Sequence, residues 1–403
     1  MADAQKIAEE SIVLMKNVGN QLPLNAAAVK SIAVIGSHAD VGVPSGGGSA
    51  QVDPPGGNAA PTPPAQGQQA GPGGGFGGRG GAQYFPSSPL KYIRAKVPGA
   101  KVEYNEGTDP AAAAALAKTA QVAIVFVNQP MSEGRDAATL SLPDKQDDLV
   151  SAVAAANPHT IVVSETGGPV SMPWADKVSA ILEAWFPGIG GGPAIANILF
   201  GDVNPSAKLP VTFAKSENDV PHPQIAGLSL MPPPGAGRGG AGAGPGGGGG
   251  RGGMPPFDVP YTEKLEVGYK WFDAQNKEPL FAFGHGLSYT SFAYSGLHAT
   301  AAGHSVTVSF SVKNAGKRAG KEIAEVYASL PAGAGEPPKR LIGWQKVDLA
   351  AGESKTVNLT IDPLYLSIFN EAKEGFEVAA GAYKISAGGS SKSLPLSQTV
   401  NLQ

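Results

Sequence analysis

Two kinds of hydrophobic pattern divide the chain. In its first half short, unbroken apolar runs recur: SIAVIG at 31–36, VAIVFV at 122–127, IVV at 161–163 and AILEAW at 180–185. Runs of this length, rich in β-branched residues and without alternation, suit strands buried on both faces. Between them lie stretches of helical spacing such as 144–156, where Leu149, Val150 and Val153 fall on one side. Strand alternating with helix predicts an α/β sandwich domain over residues 1–225, a mostly parallel sheet with helices on both faces. At the start of the chain Ile7, Ile12, Val13 and Met15 fall near helical spacing, which predicts an amphipathic helix docked on that domain.

After Tyr289 the pattern changes. SVTVSFSV at 305–312 alternates apolar and polar residues with period two, as do 323–327, 356–361 and 382–387, with turn-forming NAG at 314–316 and AGE at 351–353 between them. Short alternating strands at this spacing predict an all-β sandwich of fibronectin type III-like kind over residues 295–403. Residues 226–294 are then an inter-domain connection. Two tracts, 53–83 within the first domain and 231–256 opening the connection, are dominated by Gly, Pro and Ala. They lack the apolar side chains that offset ordering entropy, so they are expected to be flexible surface inserts. Their RGG-like steps at Arg79, Arg238 and Arg251 have almost no interleaved aromatics, which favours a linker role over nucleic-acid binding.

Composition narrows the function classes. A net charge of -3 gives no electrostatic reason for a nucleic-acid or anionic-membrane partner. No cysteine is present, which removes disulfides and thiolate metal sites, and the six histidines show no metal-ligand spacing, so no metal is expected. No cofactor is expected either. The glycine cluster WFPGIGGGPAIANILF at 185–200 has Pro193 where the dinucleotide fingerprint needs its third glycine, and it lacks the GK[ST] ending of a phosphate loop. No apolar run is long enough to span a bilayer, and the N-terminus has acids and amides where a signal peptide has a basic region and an apolar stretch. Localisation stays open.

The stretch MSEGRDAATLSLP, 131–143, directly follows the apolar run at 122–127. Loops leaving the carboxyl ends of parallel strands are where α/β proteins bind ligands, so Glu133 is the first candidate for chemistry. No convincing second carboxylate completes a two-carboxylate hydrolytic site with it.

Ten segments in order resemble the C-terminal half of the family 3 glycoside hydrolases, the group of β-glucosidases, β-xylosidases and related exo-acting enzymes. They are AEESIVLMKN (8–17), GGGSAQV (46–52), SEGRD with SLP (132–143), AAANPHTIVV (154–163), GGPVSMPW (167–174), AWFPG (184–188), ILFGDVNPSAKLPVTF (198–213), VGYKWFD (267–273), PLFAFGHGLSYTSF (279–292) and KNAGKRAGKEIAEVY (313–327). The resemblance implies a (β/α)-barrel, then a six-stranded α/β sandwich, then a fibronectin type III-like domain. It further implies that Glu133 is the general acid/base of a retaining enzyme acting on terminal non-reducing β-linked sugars, with the nucleophilic aspartate on the barrel. The barrel is absent from this sequence, so the chain is expected to need one in cis or in trans and to be inactive or nearly so alone. An alternative is an accessory carbohydrate-binding or structural module that kept the fold and lost catalysis. Three departures from the family pattern stand out: Ile189-Gly190 stands where many members have Gln-Glu, which removes a polar contact at the domain edge, and the two Gly/Pro-rich tracts enlarge loops of the substrate rim.

Other residues carry weaker signals. Arg135 and Asp136 are candidates to bind sugar hydroxyls, although adjacent opposite charges also make a local ion pair. Trp271, beside Phe272 at the domain connection, is a candidate sugar platform, whereas Trp174 and Trp185 read as core. Glu165 and Glu183 interrupt or end apolar strands and are expected to be structural acids partnered by arginine or backbone amides. Asp144, Asp147 and Asp148 suit the first turn of a helix.

Overall fold

The computed structural model of the protein describes residues 1–49, 51, 52, 54, 83–133, 137–230 and 256–403. Its first part carries α1 (Ala2–Ser11), β1 (Val13–Asn17), β2 (Ser31–Ile35), β3 (Gly42–Ser45), β4 (Gln83–Phe85), α2 (Pro89–Lys96), β5 (Lys101–Asn105), α3 (Pro110–Thr119), β6 (Val122–Gln129), α4 (Gln146–Ala156), β7 (Thr160–Thr166), β8 (Ala180–Glu183) and α5 (Gly191–Phe200). Six of these strands form one sheet in the order β1-β8-β7-β6-β2-β5, parallel except where β1 meets β8. Every residue of β6 and β7 is buried, as unbroken apolar runs require. Side chains of α1, α2 and α5 cover one face and those of α3 and α4 the other. The helices start where their sequences direct. Ser88 and Asp109 accept the N–H groups of Lys91 and Ala111, each just before a proline in the first turn.

Residues 12–17 depart from the predicted helix. The chain leaves α1 at Ser11 and pairs with β8 as an antiparallel edge strand. The reason is burial: Leu14 belongs to one face of the sheet while Val13 and Met15 belong to the other. A helix buries one stripe, whereas a strand delivers alternate residues to both layers. Ile7, expected to dock, is 67% exposed. Asp144 also differs from expectation, since it and Lys145 take left-handed φ values of 56° and 58° before α4 begins.

Strand order defines the important place in this domain. β2 has β5 on one side and β6 on the other, so the chain moves outward to β5, returns across β2 to β6, and continues through β7 to β8. The carboxyl ends of β2 and β6 therefore flank the topological switch point, where open α/β sheets bind ligands.

The second part holds α6 (Tyr269–Ala274) and strands β9 (Phe292–Ala302), β10 (Ser305–Asn314), β11 (Gly320–Ser329), β12 (Arg340–Leu349), β13 (Ser354–Ile361), β14 (Ser367–Asn370), β15 (Gly375–Val378), β16 (Gly381–Gly388) and β17 (Leu396–Leu402). Antiparallel sheets β13-β10-β9 and β12-β11-β16-β17 enclose a core of their own, the expected all-β sandwich. Residues 280–287 stitch the two parts together. Leu287 N–H donates to the Leu14 carbonyl at 2.8 Å, Gly284 N–H to that of Leu209 at 2.8 Å, and His285 Nε2 lies 2.7 Å from the Met15 carbonyl oxygen.

A buried ion pair crosses the same junction. Lys208 Nζ lies 3.2 Å from Glu322 Oε1, which also accepts the Tyr294 hydroxyl at 2.6 Å. Removing the cation leaves a buried carboxylate without its counter-charge, so Lys208→Met is expected to lower unfolding free energy by roughly 3 kcal/mol. Urea titration of that variant and of Lys208→Met with Glu322→Gln checks this, because the double change should recover part of the loss.

Candidate active site

The loops leaving β2 and β6 meet at the switch point. Gly47 N–H donates to the Met131 carbonyl at 2.9 Å and Glu133 N–H to the Gly47 carbonyl at 3.2 Å, giving a parallel bridge between Gly47 and Ser132. Ser49 N–H then donates to Glu133 Oε2 at 2.7 Å. The carboxyl is thus oriented from below while its side chain stays open to solvent. Hydrogen bonds from Ser49, side chain first and backbone second, hold its pKa below the ordinary carboxylate value.

Gly48 makes this approach possible. Its φ is +95°, and a Cβ there would lie 2.4 Å from the Cβ of Glu133. Gly48→Ala is therefore expected to push the 47–49 loop off Glu133, which a faster amide hydrogen exchange at Ser49 would report. Beneath the loops, Met131 and the Phe186 ring fill the space left by Gly46 and Gly167. A Cβ on Gly46 would meet the Phe186 ring at 3.0 Å, and one on Gly167 would meet Met131 Sδ at 2.8 Å. These glycines bring together the loops after β2, β6, β7 and β8.

Glu165 and Glu183 end β7 and β8 but cannot join Glu133 in surface chemistry, being 1% and 0% exposed. By strand alternation they face opposite sides of the sheet, Glu165 with Ile161 and Val163, Glu183 with Ile181. Glu183 Oε1 accepts the Trp185 N–H at 3.0 Å and the Thr166 hydroxyl at 3.2 Å, bracing a turn in which Trp185 has φ +57°. Burial raises its pKa to about 8. Glu165 has no hydrogen-bond partner on either oxygen, and burial followed by the proximity of Glu183 pushes its pKa well up. The expected amide partner thus exists for Glu183, while among the described residues neither acid has an arginine.

Asp147 does more than face a helix dipole. It accepts the indole N–H of buried Trp174 at 2.8 Å and the Leu142 N–H at 3.3 Å, tying the loop after Glu133 to the core. Burial raises its pKa. Trp185 lies 6.4 Å, ring to ring, from Phe213.

Trp271 lies on α6, with Lys277 Nζ 5.0 Å from its ring centroid. Lys277 also pairs with Asp219 at 3.2 Å, so this tryptophan already carries a cation on one face. Glu217, two residues before Asp219, in turn accepts the Leu140 N–H. Arg135 and Asp136 lie outside the described residues. Among the described residues no group of three or more His, Asp or Glu side chains could hold a metal ion, and no helix is long and apolar enough to cross a membrane.

Ser49 is the partner that sequence reasoning passed over. It lies in GGGSAQV, but only the adjacency of β2 and β6, which no local pattern encodes, brings it to Glu133.

Comparison with known proteins agrees with this architecture. The chain is 39% identical over 284 residues to beta-glucosidase B of Emericella nidulans, covering 68% of this chain and 32% of that protein. It is 37% identical over 294 residues to thermostable beta-glucosidase B of Acetivibrio thermocellus, covering 71% and 36%. The crystal structure of a beta-glucosidase from Streptomyces venezuelae in complex with D-glucose superposes with a TM-score of 0.81 at 30% identity, covering 100% of this chain and 60% of that one. The chain thus spans about a third of the length of these curated relatives. Residues 322–391 match the fibronectin type III-like domain. Residues 12–289 match the glycosyl hydrolase family 3 C-terminal domain, and with more than half of its length so matched, the chain belongs to that family.

Proposed function

We propose that this chain supplies the general acid/base, Glu133, of a retaining β-glycosidase acting on terminal non-reducing β-linked glucosides or xylosides, and that a (β/α)-barrel in cis or in trans supplies the nucleophile. The observation that carries this reading is the position of Glu133: an open carboxyl, oriented by Ser49, at the switch point of the sheet. The relatives named as beta-glucosidases supply the substrate class. The buried acids Glu165 and Glu183 have no access to an anomeric carbon.

In the first step the Glu133 carboxyl proton passes to the glycosidic oxygen as its bond to the anomeric carbon breaks, while the partner carboxylate bonds to that carbon. In the second, the Glu133 carboxylate takes a proton from water as the water oxygen bonds to the anomeric carbon and the glycosyl ester breaks. The first step needs a protonated Glu133, yet Ser49 favours the ionised form. A second carboxylate about 5–5.5 Å away reverses that balance, because two like charges so close cannot both ionise easily. Carbon-detected NMR titration should therefore find Glu133 below its usual pKa in this chain and raised when a relative's barrel is bound.

The deciding assay is hydrolysis of an aryl β-glucoside and an aryl β-xyloside by the purified chain, with and without that barrel, beside Glu133→Gln. Turnover is expected only with barrel and intact Glu133. Turnover by the chain alone that vanishes in Glu133→Gln would place a nucleophile among these residues, and no turnover with barrel would defeat the in-trans form.

A further inference from the structure

On the fibronectin-like domain two depressions adjoin. One, of about 230 Å³, straddles the gap between the edge strands β12 and β13 and is lined by Trp344, Tyr365, Thr360 and Asp362. The other, of about 320 Å³, continues from Thr360 over the outer face of β13 and β10, past Asn358 and Ser309. Trp344 follows a β-bulge in β12 and is 59% exposed, and Tyr365 is 49% exposed. Two aromatic rings this open in one depression leave apolar area in water that a ligand face would cover.

The polar lining is equally unengaged. No hydrogen bond within the described protein uses the side chains of Ser309, Asn358 or Thr360 or the Tyr365 hydroxyl. Asp362 commits one oxygen to the Leu364 N–H at 2.9 Å and keeps the other. Among the residues lining the two depressions there is no lysine or arginine, one carboxylate, Asp362, and one imidazole, His298, so the groove offers little to a phosphate backbone and suits a neutral polyol. Exposed rings for C–H faces, beside unpaired hydroxyl, amide and carboxylate groups for O–H edges, match a row of pyranose units. We propose that this groove is a non-catalytic binding site for a β-linked glucan chain. The choice of β-linked glucose rests on the glycosidase reading, whereas the groove itself does not involve Glu133.

The test uses the full chain, with native gel retardation by laminarin and hydroxyethyl cellulose and calorimetric titration with laminarihexaose and cellohexaose. Retardation by at least one glucan is expected, weakened about tenfold or more by Trp344→Ala and by Tyr365→Ala, a tenfold change being about 1.4 kcal/mol. Both rings are half or more exposed, so these variants should fold, which circular dichroism verifies, and Thr360→Lys blocks the groove by a second route. No retardation by a folded chain overturns the proposal, as does retardation that survives all three changes. Binding of an extended peptide along the open edge of β12 without glucan binding overturns it in favour of strand addition. Glucan binding without barrel-dependent turnover would count against the acid/base reading alone, and turnover without glucan binding against the groove alone.

Discussion

In a barrel-completed enzyme, Glu133→Gln should lower kcat/KM by about 10²–10⁴-fold for an alkyl or saccharide leaving group. It should do so far less for a dinitrophenyl glycoside. The difference follows from where the proton goes. A sugar alkoxide cannot depart unprotonated, whereas dinitrophenolate is stable as an anion and needs no acid. With that substrate the glycosyl ester forms but water then lacks a base, so kcat falls, the ester accumulates and KM falls with it. Azide, an anion that attacks without losing a proton, should restore turnover and yield the glycosyl azide. A merely structural role for Glu133, bracing the Ser49 loop, would depress both substrates alike and leave azide without effect.

The second large effect concerns stability. Glu183 has its pKa raised from 4.5 to about 8 in the folded chain, and burial pushes that of Glu165 well above the ordinary range too. The folded state therefore holds protons that the unfolded chain sheds. Their contribution to stability is fully present below pH 4.5, where both states are protonated, and falls as pH rises toward 8, by about 1.4 kcal/mol per pH unit for each such group. The loss amounts to several kcal/mol across this window. Glutamine keeps the shape and cannot ionise, so Glu165→Gln and Glu183→Gln should flatten the decline and make the chain more stable than wild type at pH 8. Urea midpoints measured every half unit of pH would show it. Equal slopes in wild type and variants would mean that these carboxyls find counter-charges on folding.

Much of this architecture was legible because unbroken apolar runs have few alternatives. β6 and β7 could only be interior strands, and alternation from 305 onward could only be half-buried ones. β5 escaped notice because KVEYN is an edge strand, exposed to half-buried along its length, with no dense apolar signal. α3 is a run of alanine and carries no amphipathic period to read. Residues 12–15 depart from the helical expectation because a strand feeding two layers has no single apolar face. For the site the division is similar. Glu133 declared itself by following a strand, while Ser49 did not, since its partnership depends on which strands neighbour each other. Trp344 alternates outward with Lys346 and Asp348, and the bulge before it breaks the period only at buried Ile342.

The pairing of β3 with β4 has a consequence for how the rim of the site can vary. Gly42 opposes Phe85 and Ser45 opposes Gln83, so the two ends of the intervening segment are clamped side by side whatever lies between them. Within it, Gly47 is independently tied to Met131 and Glu133. The entropic cost of closing a chain between fixed ends rises only with the logarithm of its length, about 0.6 kcal/mol per doubling. A longer or shorter segment between these clamped ends thus costs the Ser49–Glu133 contact almost nothing.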